Sequence, residues 1–315
     1  MSCGAVLTLL VMSTISRRIL ASVVMVALSA GLVACGPPAK KKADPPRPAQ
    51  NGAPLKIKNI RYVALGDSFT AAPLVSAAQK YDQCMRSKEN YPSQVAAALQ
   101  VKSFTDMSCA GAQTKHFLEN QYPDIPPQFS GLTPKTNLVT VSMGGNDFGM
   151  YGTLVGQCSF MKGLDPSGAP CRTALEMGAS ETKGFRGHIR TIEDRLVQAM
   201  AQIRKRAPRA RVIVVGYPQM VPKSGTCPTL PLAAGDYAYV HWMNQLLDGA
   251  LRKAATRANA QFVDIYTPSL RHTICSKVPW INGNQGKPNA LVFHPFLNEQ
   301  TAIAKLVESK VRQAH

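Results

Sequence analysis

Acid is scarce in this chain: 18 Asp and Glu against 36 Lys and Arg leave a formal charge of +18. Residues 1–60 carry eight of the cations and one acid, which puts +7 there and +11 in the remainder. A basic body suits nucleic acid, an anionic membrane or wall surface, or acidic substrates. There is, however, no basic stripe interleaved with aromatics; Lys and Arg are scattered, and nucleic acid is not expected as a partner. No Cys-x-x-Cys and no Cys/His cluster at metal spacing occurs, so no metal site is expected, and nothing argues for a cofactor. Apolar residues are not lacking. At 45% of 315 residues they support one large domain or two small ones and exclude a disordered chain.

At the N-terminus, Arg17 and Arg18 precede an uninterrupted apolar or small run, Ile19 to Ala34. A charged region before a segment too short for a comfortable membrane span reads as a signal peptide. It ends in Leu32-Val33-Ala34-Cys35, which resembles the lipobox of bacterial lipoproteins, where the cysteine is acylated. Residues 1–35 are therefore expected to direct export to the cell envelope or beyond, with Cys35 as a lipid anchor to the envelope membrane. Met12 reads as an alternative start, with 1–11 as an upstream extension. Residues 36–59, rich in Pro and Lys, bury no apolar area and read as a tether. Lys40 to Lys42 would add attraction to anionic headgroups beside such an anchor. The globular domain is expected over 60–315, as a monomer.

Beyond Cys3 and Cys35, six cysteines remain: Cys84, Cys109, Cys158, Cys171, Cys227 and Cys275. An even number in an exported domain points to three disulfides, and their spacing alone leaves the connectivity open.

Along the body, apolar runs at 61–65, 101–107, 136–142, 211–215 and 262–265 read as about five strands, the second the weakest. Helical patterns lie between and after them, opening at Asn90-Tyr91-Pro92-Ser93, over 187–205, from about 236 to 257, and over 297–311. In the 187–205 helix Ile189, Ile192, Leu196, Met200 and Ile203 form one core stripe. Residues 150–183 read as an irregular, disulfide-pinned excursion. Continuously apolar strands alternating with helices predict an α/β fold, a parallel sheet covered on both faces. In such folds functional loops lie at the carboxyl ends of the strands.

Three turns fall at such ends. Gly66-Asp67-Ser68 follows the first strand, and a serine where strand becomes helix has an exposed hydroxyl with backbone N–H groups aimed at the same spot. Gly111 follows the second strand and Gly144-Gly145-Asn146-Asp147 the third. Each alone is a common accident, and Gly-Asp-Ser by itself is a plain capped turn more often than a site. Acyl transfer also needs a base. Of six histidines, His188 and His241 lie in helices and His315 is terminal, whereas His294 sits in a loop just before the last helix.

In order, Gly66-Asp67-Ser68, Gly111, Gly144-Gly145-Asn146-Asp147 and His294-Pro295 match the four blocks of the SGNH (GDSL-type) hydrolases, which the chain resembles over about 60–315. It looks most like the exported actinobacterial esterases and lipases with three disulfides. That resemblance implies a three-layer α/β/α sandwich of flavodoxin-like kind and pairs Cys84–Cys109, Cys158–Cys171 and Cys227–Cys275. It makes Ser68 the nucleophile and His294 the general base and acid, with the Ser68 and Gly111 N–H groups and the Asn146 amide as oxyanion donors. Most members carry Asp three residues before the histidine; here that residue is Leu291. A Ser68–His294 dyad is therefore expected, with the main-chain carbonyl of Leu291 or a neighbour holding the imidazole. Asp67 and Asp147 are read as structural. Gly-x-Ser-x-Gly is absent, so the α/β-hydrolase elbow is not the template.

The substrate expected is an acyl ester, with Met143, Phe148, Met150 and Tyr151 as lining of an acyl pocket. That favours lipid or phospholipid esters. The alternatives are an acetylesterase or acyltransferase working on envelope glycans, or an inactive lipoprotein that binds lipid or glycan.

Overall fold

The computed structural model describes residues 59–177, 179 and 184–313. The signal peptide, Cys35 and all of the tether but Asn59 lie outside these residues. Strands β1 (Arg61–Gly66), β2 (Ser103–Asp106), β3 (Leu138–Ser142), β4 (Arg211–Val215) and β5 (Gln261–Val263) form one parallel sheet in the order β2-β1-β3-β4-β5. The helices are α1 (Ser68–Ala71), α2 (Tyr91–Ala98), α3 (Met150–Gly152), α4 (Cys158–Met161), α5 (Pro170–Glu176), α6 (Phe185–Arg206), α7 (Asp236–Arg257) and α8 (Leu297–Arg312).

Because side chains alternate along a strand, each apolar strand feeds two cores. Val63, Leu65, Val139, Val141, Val212 and Val214 face one way and pack with Ile192, Leu196, Leu247 and Leu251 of α6 and α7. Tyr62, Ala64, Leu138, Ile213 and Val215 face the other way, onto Tyr91, Val95, Ile303, Val307 and Val311 of α2 and α8. The result is the α/β/α sandwich expected. Burial of each such Val, Leu or Ile contributes about 1.5–3 kcal/mol, and this fixes strand register as well as stability. All five residues of the expected α6 stripe are buried. Helix α2 starts where expected, its first turn capped by the Asn90 side chain accepting from the Ser93 N–H (3.1 Å).

The strand order reverses between β1 and β3: β2 lies outside β1, while β4 and β5 extend beyond β3. The crevice at such a switch point is where open α/β sheets hold their sites. Gly66 is in register with Ser142, so β1 and β3 release their chains side by side at the same level.

Two expectations are corrected. The excursion after β3 is not irregular: it holds α3, a π-helical turn (Thr153–Gln157), α4 and α5. One-turn helices leave no periodicity in a sequence, and the cap of α5 comes from far away. Asp236, buried at the start of α7, accepts from the N–H groups of Cys171 (3.0 Å) and Arg172 (2.9 Å). Strands β2 and β5 are also shorter than the apolar runs that announced them. The three disulfides, Cys84–Cys109, Cys158–Cys171 and Cys227–Cys275, pair in sequence order as the resemblance implied.

Candidate active site

Ser68 is the first residue of α1, directly after the turn out of β1. Asp67 caps that helix, its Oδ1 accepting from the Phe69 N–H (2.9 Å). The turn leaves no room for a side chain at Gly66, where a Cβ would sit 2.1 Å from Thr70 Oγ1 and 2.9 Å from the Ser142 carbonyl oxygen. Gln128 closes it from the other side: its Oε1 accepts from the Gly66 N–H and its Nε2 donates to the Gly66 carbonyl, both at 2.8 Å. As one of the first N–H groups of a helix, that of Ser68 has no intrahelical acceptor.

The other two turns converge on the same place. After β2, the Cys109 N–H donates to the Gly66 carbonyl (3.0 Å) and the Cys84–Cys109 bridge ties the segment down. Gly111 then takes a left-handed φ of +76°, which glycine adopts at no steric cost. After β3, Asn146 lies beside this segment, its Nδ2 donating to the Ala112 carbonyl (3.0 Å). An amide nitrogen has two hydrogens, so the second stays available. Asp147 fastens the two segments. Its carboxylate accepts from the Thr114 N–H (2.8 Å), the Thr114 hydroxyl and Arg195 Nη1 (2.8 Å). Asp67 and Asp147 thus both hold loops, as read from the sequence.

His294 is buried, its ring centroid 5.7 Å from that of Phe69, the neighbour of Ser68, and 5.4 Å from that of Tyr151. Its Nδ1 lies 2.8 Å from the Val292 carbonyl oxygen. A carbonyl only accepts, so Nδ1 carries the proton and Nε2 keeps the lone pair, the tautomer a general base needs. Of the acceptors expected, Leu291 or a neighbour, the carbonyl that meets the ring is thus the neighbour, Val292. The Leu291 carbonyl is taken by the backbone N–H of His294 (3.0 Å), and Phe293, at a φ of +60°, turns the chain so that Val292 faces the ring. Burial lowers the imidazole pKa from its usual value, and the bond to Val292 acts in the opposite sense.

The remaining histidines among the described residues are engaged elsewhere. His241 lies against the Val221 carbonyl (2.9 Å), His272 stacks on Trp280, His188 stacks on Phe148, and His116 accepts from the Gln113 N–H. Of the residues expected to line an acyl pocket, Met150 and Tyr151 do so, in a cavity shared with Ser68 and Asn146. Met143 is core, and Phe148 is exposed on the far side of Met150.

Sequence reasoning missed Tyr217 and the part that Tyr151 plays beside His294. Tyr217, buried at the end of β4, accepts from the Gly145 N–H (3.0 Å) and donates to Asp67 Oδ2, so one phenol joins the serine turn to the asparagine turn. Its place just past a strand's carboxyl end was the available signal. Burial pushes the Asp67 carboxyl up to about 7, with the Tyr217 and Phe69 bonds pulling it back. Tyr151 donates its hydroxyl to the Phe293 carbonyl and so holds the strained residue before His294. Nothing in the sequence marks that contact.

Ser68 and Asn146 line one cavity, and His294, its Nε2 left unprotonated, lies against Phe69 beside Ser68, an arrangement that suits acyl-ester chemistry on a parallel α/β/α sandwich. Residues 64–295 match the GDSL-like Lipase/Acylhydrolase family, and the chain belongs to it. "Lipase 2" of Streptomyces coelicolor is 35% identical over 221 residues, covering 69% of this chain and 73% of that protein. Among solved structures, an extracellular lipase from Streptomyces rimosus superposes with a TM-score of 0.64 at 27% identity, over 81% of this chain and 100% of that one. A phospholipase A1 from Streptomyces albidoflavus gives 0.60 at 27% identity, over 80% and 99%. The chain is an ester-hydrolysing enzyme of the lipase/esterase kind.

Proposed function

We propose that the protein is an exported serine esterase or lipase that hydrolyses lipid or phospholipid acyl esters through a Ser68–His294 dyad. The observation that carries this reading is the shared crevice, in which Ser68 and Asn146 line one apolar cavity. Ser68 Oγ attacks the ester carbonyl carbon while His294 Nε2 takes its proton. The carbonyl oxygen becomes an oxyanion held by the N–H groups of Ser68 and Gly111 and the second Nδ2 hydrogen of Asn146. Such a donor is worth about 3 kcal/mol of barrier. Collapse expels the alcohol, which leaves with the proton from His294. Water then attacks the acyl-serine by the same route reversed, releasing the carboxylic acid and restoring Ser68. The Val292 carbonyl takes the place of the carboxylate of a triad: it fixes the tautomer without adding a charge. The phospholipase A1 neighbour supports a lipid substrate, and Cys35 with the tether supports attachment of a monomer to the envelope.

The test is hydrolysis of p-nitrophenyl esters from C2 to C16 by the protein and its Ser68→Ala variant. Turnover in the first and loss of about 10⁴-fold or more in the second is the expected result. Turnover that survives in the folded variant would refute the dyad, and none in either would favour a glycan acyltransferase or a binding lipoprotein.

A further inference from the structure

The space beside Ser68 is small. The cavity it shares with Asn146 and Tyr151 has a volume of about 10 Å³, room for roughly one water molecule. A long acyl chain must therefore move a wall. Part of that wall is pinned. Tyr217 is tied to Asp67 and Gly145, and Tyr151 to the Phe293 carbonyl. Three residues differ: Met150, Phe185 and Met243 line this cavity and also a second chamber of about 130 Å³. They are the partition between the two.

The second chamber continues past Phe148, Leu175 and His188. Among the described residues no Asp, Glu, Lys or Arg lines it, and burial lowers the His188 imidazole pKa. Methionine is unbranched and changes rotamer readily, which suits a partition that must part and close. Phe185 is the first residue of α6, at a helix end, with Trp242 behind its ring (centroids 5.8 Å apart).

We propose that Met150, Phe185 and Met243 form a gate that sets the acyl-chain length accepted at Ser68, with the chamber beyond them receiving the distal methylenes. This rests on the esterase reading above. Short acyl groups stay on the near side. Longer chains pass between the two thioethers and the ring, and opening the gate is what limits them.

The test compares kcat/KM for C4 and C10 p-nitrophenyl esters across three variants. Met243→Ala and Phe185→Leu widen the passage and raise the C10:C4 ratio, by about tenfold for Met243→Ala. Leu175→Trp fills the chamber and lowers the ratio by a similar factor. Phe185→Leu keeps the test alive should Met243→Ala fail to fold. Ratios within about twofold of the parent in the folded widening variants and in Leu175→Trp alike would overturn the gate. Calorimetric binding of decanoate and butyrate to Ser68→Ala, with and without the gate substitutions, is read beside turnover. It needs no chemistry, so a protein that hydrolyses nothing would sink the esterase reading while decanoate binding still decides the gate. Decanoate binding strengthened by Met243→Ala or Phe185→Leu and weakened by Leu175→Trp supports it, and indifference to all three refutes it.

Discussion

At the scale of single residues, the site depends on how two buried acids and bases are held. As the proposed base, His294 would act only when neutral, and its pKa is lowered by burial. Activity is therefore gained as pH rises through a value below the ordinary 6.5 of imidazole. A pH profile of kcat/KM with an acid limb centred below 6.5 is the expected result. A limb near 7 that disappears in Asp67→Asn would assign the titration to Asp67, whose carboxyl is pushed up to about 7. Tyr217 is the second residue whose role is testable. Removing its hydroxyl leaves the Gly145 N–H and Asp67 Oδ2 without the partner that joins them. Tyr217→Phe should lower kcat by about 10- to 100-fold with KM little changed, since what loosens is the alignment of Asn146 with the serine turn. An equal loss in KM would make it a binding residue instead.

At the scale of elements, helix α8 carries His294 on the loop before it and meets α1 from behind. Gln300 Nε2 donates to the Phe69 carbonyl (2.9 Å) and to Glu299 Oε2 (2.7 Å), and its Oε1 accepts from the Tyr91 N–H (2.7 Å). Glu299 is fully buried, and burial pushes its carboxyl from 4.5 up to about 8. A raised folded-state pKa means that the folded protein holds the proton more tightly. The stability so gained is complete below about pH 4.5 and is lost as pH rises towards 8. Glu299→Gln should thus raise the melting temperature at pH 8 by ~5 °C or more and leave it nearly unchanged at pH 4.5. Equal shifts at both pH values would show that Glu299 is not the group titrating.

The elements that were legible in the sequence are those whose signal is local. Strand β4 and helix α6 declare themselves by apolar run and stripe, and the four blocks around Ser68, Gly111, Asn146 and His294 by their order at strand ends. What could not be read depends on contacts between distant segments. Asp236 caps α5 from 65 residues away, Tyr217 reaches Asp67 across 150, and Tyr151 reaches Phe293 across 142. Val292 rather than Leu291 meets His294 because of one left-handed residue, Phe293, a conformation that a bulky side chain does not advertise.

For the molecule as a whole, the six bridged cysteines share one placement. Cys84 follows β1, Cys109 follows β2, Cys158 and Cys171 follow β3, Cys227 follows β4 and Cys275 follows β5. Every bridge therefore lies in segments that follow the carboxyl ends of strands, Cys158–Cys171 joining α4 to α5 within one of them. The loops spanned by Cys84–Cys109 and Cys158–Cys171 are 25 and 13 residues long, and closing either stabilises by a similar ~3 kcal/mol. Stability alone would make the two bridges equivalent. Geometry does not: Cys109 stands two residues before Gly111, whereas Cys158–Cys171 holds the helical excursion whose α3 supplies Met150 and Tyr151. Replacing Cys84 and Cys109 together by serine should lower kcat on a C4 ester at least about tenfold further than replacing Cys158 and Cys171. The second pair should act more on the C10:C4 ratio than on kcat for C4. Calorimetric melting of both variants provides the control. Matched melting losses with matched kinetic losses would mean that the bridges only stabilise, and a kinetic split at equal stability would assign the first to oxyanion-loop geometry and the second to the acyl side.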